Sequence, residues 1–142
     1  MIYELVSERK APAYRIASPA DAYKPLARYA RSRTERFLTI SLDSAHQVIS
    51  VRIVSIGSVN RTIAVARDVF YPAVKDSAVA IVAAHSHPSG SLIFSEEDLA
   101  VSRRLREAGD ILGITLLDSL VISKHGFASM VMQGLLPPST TD

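Results

Sequence analysis

Two histidines stand one residue apart, His85 and His87. After seven intervening residues comes Ser95, and after two more intervening residues Asp98. Two imidazoles and a carboxylate form a ligand set that can hold a divalent zinc and leave a fourth position open for water. That open position separates a catalytic zinc site from a structural one. The run His85-Ser86-His87-Pro88 directly follows Ala78-Val79-Ala80-Ile81-Val82-Ala83-Ala84, an unbroken apolar stretch. Such a stretch predicts a strand buried on both faces. Alternate residues at a strand end share a side, so both imidazoles point the same way.

Each piece also has a plainer reading. Ser95-Glu96-Glu97-Asp98 resembles a capping box, a serine N-cap with an acid three residues on. An H-x-H pair by itself has several uses besides metal binding. The combination is more specific. The stretch Pro88–Phe94 returns the chain to a helix whose first turn carries Asp98, where a carboxylate can cap the helix and still reach a metal. Ligands gathered at the carboxyl end of a buried strand follow the general rule for open α/β sheets. His46 and His125 fall in predicted turns with no ligand spacing around them and read as surface residues. Arg28, Arg31, Arg33 and Arg36 form a basic run, usually a solvated face and sometimes a phosphate-binding patch.

The elements that position these residues follow from periodicity. Residues 1–17 read as an extended leader. Ser18-Pro19 opens a helix through Ala30, with Tyr23, Leu26, Ala27 and Ala30 inward. Phe37–Leu42 and Val48–Val54 read as strands joined by a turn at Asp43–Gln47, and Thr62–Val65 as a third short strand. Arg67–Lys75 reads as a helix strained by Pro72. From Ser95, residues Val101, Leu105, Ala108 and Leu112 recur at helical spacing up to Gly113. Ile114–Ile122 and Phe127–Met132 form a hairpin about Lys124-His125-Gly126, and residues 134–142 have the look of a loose tail. The expected architecture is a single α/β domain with a mixed sheet in two or three layers.

Composition narrows the function classes. The 142 residues suit one domain, and a hydrophobic fraction of 48% supports a real core. The formal net charge of +2 is small for a nucleic-acid binder, so any such contact is expected to be weak or indirect. Absence of cysteine excludes disulfides, a thiolate nucleophile and cysteine-ligated zinc, and with them the zinc deaminase pattern. Neither a phosphate-binding G-x-x-x-x-G-K-[ST], nor G-x-G-x-x-G, nor H-E-x-x-H occurs. No segment has the ~18 apolar residues of a membrane span, and the first residues lack a signal-like core, so a cytoplasmic domain is expected.

The residues His85-Ser86-His87, Ser95 and Asp98 match the JAMM motif of the JAB/MPN metalloproteases. Wider features resemble the bacterial RadC branch: His87-Pro88-Ser89-Gly90, Leu116-Leu117-Asp118, Glu35-Arg36-Phe37, Leu42-Asp43, Gly57-Ser58-Val59-Asn60 and Arg67-Asp68-Val69-Phe70. The resemblance runs from about Ser18 to Met132 and assigns residues 18–133 to the domain. It implies a mixed, curved, deaminase-like sheet flanked by helices. It also implies zinc held by His85, His87 and Asp98, with Glu35 as general base and Ser95 supporting the water or the oxyanion. A metallopeptidase or isopeptidase acting on a peptide or protein follows from it. The rival is a non-enzymatic binding or scaffold module associated with DNA repair. The branch usually has asparagine where Ser86 stands, and histidine where Ser119 stands. Many full-length members carry an N-terminal helix-hairpin-helix segment missing here, which would make this the short stand-alone form.

Overall fold

The computed structural model describes residues 4–8, 13–56 and 66–137. Six strands form one mixed sheet in the order β1-β3-β2-β4-β5-β6. They are β1 (Glu4–Glu8), β2 (Arg36–Leu42), β3 (Val48–Ile56), β4 (Ala80–Ser86), β5 (Thr115–Ser123) and β6 (Gly126–Ser129). Only β4 and β5 run parallel, and the long helix α3 (Glu96–Leu112) connects them. All other neighbours are antiparallel. Among the described residues no helix is long and apolar enough to cross a membrane.

Strand alternation splits the core into two. Ala80, Val82 and Ala84 of β4 join Leu38, Ile40 and Leu42 of β2, beneath Ala22, Leu26 and Ala30. Ile81 and Ala83 face the opposite way, into Val69, Phe70 and Ala73 of α2 (Ala66–Lys75) and Val101 and Leu105 of α3. The sheet is therefore covered on both sides, which explains why β4 reads as a continuous apolar run. The three-layer arrangement is the one observed.

Several local details differ from the periodic reading. The first helix is split: α1 covers only Pro19–Tyr23, and Lys24–Tyr29 winds more tightly as a 3-10 helix. Pro25 lacks the N–H that a continued α-helix would use. Strand β4 begins and ends two residues later than its apolar run, so His85 and Ser86 belong to the strand itself. Leu112 is 52% exposed and does not face the core. Gly109 holds the inward position instead: a Cβ there would come within 2.2 Å of the Ile114 carbonyl oxygen. Beyond the last strand, Leu136 packs into the α2–α3 core at 1% exposure, so the expected tail is anchored at this point. Arg15 bridges to Gln47 and Ile16 is buried, tying the end of the leader to the sheet. The strand expected at Thr62–Val65 lies outside the described residues.

Candidate metal centre

The centre is built at the carboxyl end of β4. His85 follows Ile81 and Ala83 on the face that α3 covers, and His87 continues that alternation just past the strand. The main chain of His87 stays attached to the sheet by donating its N–H to the Ile122 carbonyl at 2.9 Å. Ser95 then caps α3. Its hydroxyl accepts the Asp98 N–H at 3.0 Å, while Asp98 Oδ2 accepts the Ser95 N–H at 2.8 Å. This reciprocal capping box fixes the Asp98 carboxylate.

Asp98 Oδ1 lies 3.1 Å from His85 Nδ1, and Asp98 Oδ2 lies 3.4 Å from His87 Nε2. The imidazoles meet edge to face, with centroids 5.0 Å apart and planes at 88°. One ligand atom from each of the three residues lies within 4.8 Å of the others. Donors placed ~2 Å from a tetrahedral ion stand roughly 3.3 Å from one another, so the set fits a single small cation. His87 supplies a second test. Its Nδ1 faces the Ser91 carbonyl at 3.2 Å, and a carbonyl only accepts. With Nδ1 turned to that carbonyl, Nε2 is the ring atom that faces Asp98 and is placed to act as a ligand. That Nε2 is buried and makes no hydrogen bond. A metal ion would satisfy it.

Charge at the centre follows from the same contacts. Burial alone would raise the Asp98 carboxyl, but the two imidazoles and Ser95 overcome it and hold the group well below the usual carboxylate range. The side chain is 8% exposed and stays anionic, as a metal ligand must. Glu35 sits at the edge of this group, with Oε2 3.8 Å from His85 Nε2 and its side chain 26% exposed. The structure thus brings His85, His87 and Asp98 together, places Ser95 beside them as the cap, and leaves Glu35 outside the ligand cluster but within reach of it.

Glu35 arrives there by sheet register. Phe37 of β2 pairs with His85 of β4, and continuing that antiparallel register sets Glu35 across from His87. Ser86, fully buried between the two histidines, accepts the Arg36 N–H at 2.8 Å and pins the start of β2. At the other departure from the family pattern, Ser119 bonds Ser102 of α3 at 2.8 Å, with both hydroxyls buried. Beside it, Asp118 accepts from the Ser119 N–H at 2.8 Å, the Val131 N–H at 3.1 Å and the Ser129 hydroxyl at 2.5 Å. Burial nevertheless pushes its carboxyl above the ordinary value, against those bonds. The Ser91 carbonyl and the Ser86 clip were not singled out by the sequence reading. A main-chain acceptor leaves no side-chain signature, and a buried serine inside a motif reads as a spacer.

Comparison with known proteins shows the family to which the chain is related. The model of the RadC-like JAB domain matches residues 16–135. A UPF0758 protein of Geobacter sulfurreducens is 43% identical over 123 residues, 86% of this chain and 54% of that protein. One from Moorella thermoacetica is 47% identical over 102 residues, 72% of this chain and 44% of the relative. One from Methanosarcina acetivorans is 36% identical over 126 residues, 88% of this chain and 55% of the relative. The chain spans about half the length of the curated relatives it matches.

Proposed function

The chain belongs to the RadC-like JAB domain family, and on that premise we propose that it is a zinc-dependent hydrolase of the JAMM type, a metallopeptidase or isopeptidase. The observation that carries the proposal is the convergence of His85, His87 and Asp98 around a buried, unsatisfied imidazole nitrogen, with the Glu35 carboxylate alongside. Zinc held by those three residues would lower the pKa of a bound water and polarise the carbonyl under attack.

The chain's own groups do the rest. Glu35 takes a proton from the attacking water as the new oxygen–carbon bond forms. It returns that proton to the amide nitrogen as the carbon–nitrogen bond breaks, so amide and water become acid and amine. Ser95 uses its lone pair to accept the Asp98 N–H, which leaves its hydroxyl proton for the developing oxyanion. Ser95 is exposed, so a substrate can approach it.

Elemental analysis of the purified chain, paired with an unbiased peptide-cleavage screen, tests this function. About one zinc per chain and metal-dependent cleavage are expected. Protein that takes up no zinc when it is supplied would refute the proposal.

A further inference from the structure

Beside the metal centre lies a cleft of about 410 Å³, lined by Ala30, Arg31, Ser32, Pro88, Lys124 and His125. Three segments form it: the end of the 3-10 helix, the turn between β5 and β6, and the loop that leaves His87. Arg31 and Lys124 are exposed, and neither has an ion-pair partner among the described residues. Among the described residues, no acidic side chain lines the cleft.

The cleft is coupled to the centre through the loop after His87. Pro88 is the next residue along the chain, and Gly90 adopts φ +88°. A Cβ at Gly90 would approach His125 Cδ2 and Nε2 at 3.1 Å and Lys124 Cε at 3.2 Å. The positive φ favours glycine here, and the missing side chain lets the loop lie closely on the Lys124-His125 turn. The same loop carries the Ser91 carbonyl that orients His87.

We propose that this cleft receives an acidic side chain of a peptide substrate, bound by Arg31 and Lys124 beside the metal centre. The proposal rests on the hydrolase reading and names its substrate class. Two cations without carboxylate partners attract an anion, and a carboxylate fits a space of this size. A nucleic acid is the poorer match, because among the described residues no tryptophan, tyrosine or phenylalanine lines the cleft as a stacking platform.

The test is titration of the isotope-labelled full chain, followed by amide chemical shifts. The probes are a capped tetraglutamate peptide, its tetraglutamine counterpart and a short oligothymidylate. Tetraglutamate should give saturable shifts at Arg31, Ser32, Lys124 and His125, and tetraglutamine should not. The double variant Arg31→Gln/Lys124→Gln should weaken tetraglutamate binding by roughly three- to tenfold, the scale of two exposed charge pairs. Arg103→Gln/Arg104→Gln removes the same charge from the exposed side of α3 and should leave binding unchanged. Absence of saturable shifts, or equal weakening in both double variants, would overturn the proposal. So would tighter binding of the oligothymidylate at these residues, which would assign the cleft to phosphodiesters. Binding read this way is independent of turnover. A chain without zinc would sink the hydrolase reading and leave the peptide result to be judged separately.

Discussion

The Ser86 hydroxyl accepts the Arg36 N–H at 2.8 Å, across 50 residues of sequence. One side chain between the two histidines therefore holds the backbone next to Glu35. Ser86→Ala would leave that part-buried N–H without its partner, beside a fully buried side-chain position. An unsatisfied buried donor costs about 1–3 kcal/mol, so urea unfolding should show a loss of that order. Zinc content should stay near that of the parent chain, because no ligand is altered. A variant as stable as the parent would show that the clip holds nothing.

Glu35 and the ligands should separate in their effects. Glu35→Gln keeps size and shape but cannot take a proton. It should retain zinc and lose about 100- to 10,000-fold in turnover of the substrate identified by the cleavage screen. Parent-like turnover by this variant would rule out Glu35 as the base.

Ser95 and Asp98 share a capping box, yet they should respond differently. Ser95→Ala removes the acceptor for the Asp98 N–H and should cost about 1 kcal/mol of stability, with zinc retained. Asp98→Asn keeps an oxygen that can accept the Ser95 N–H but removes the charge. It should lower zinc affinity strongly and stability little. Calorimetric zinc titration beside urea unfolding of both variants decides the matter. Equal zinc loss in the two would show that capping alone positions the metal ligands.

Asp118 gives a pH dependence with a definite sign. Its folded-state carboxyl lies above the ordinary value, mainly through burial. Between an unfolded pKa of ~3.9 and that raised value, the folded chain holds more of the proton, so stability falls as pH rises. Asp118→Asn can still accept from Ser119 and Val131 and can donate to Ser129, without any charge to bury. The parent should therefore lose stability relative to Asp118→Asn as pH climbs from about 4 towards neutrality. Urea midpoints of both chains across that range measure it, and a constant difference would contradict the assignment.

Much of this architecture was legible in the sequence. The apolar run of β4 predicts His85 and His87 at its carboxyl end, and the Ser95 cap predicts Asp98 in the first turn of the next helix, as observed. The capping box and the metal reading of Asp98 compete in the sequence, whereas in the structure the carboxylate that accepts the Ser95 N–H also lies beside both imidazoles. Other features left little trace. Gly109 resembles any small helical residue, and only the approach of the Ile114 carbonyl explains it. Leu136 follows a patternless stretch, so its burial depends on a tertiary pocket that periodicity does not encode. Lys124 and His125 read as an ordinary turn, and their position beside the His87 loop comes from the packing of Gly90.

The pairing of β2 with β4 also sets an order on how the site is assembled. His85 and Asp98 are 13 residues apart and belong to one strand–loop–helix unit, whereas the Ser86–Arg36 link spans 50. Closing the longer loop costs about 1 kcal/mol more in chain entropy. It also requires the non-local strand contact that slows folding. On the proposed reading, the three candidate ligands are therefore gathered by contacts local in sequence, while Glu35 joins them only through the distant β2–β4 pairing.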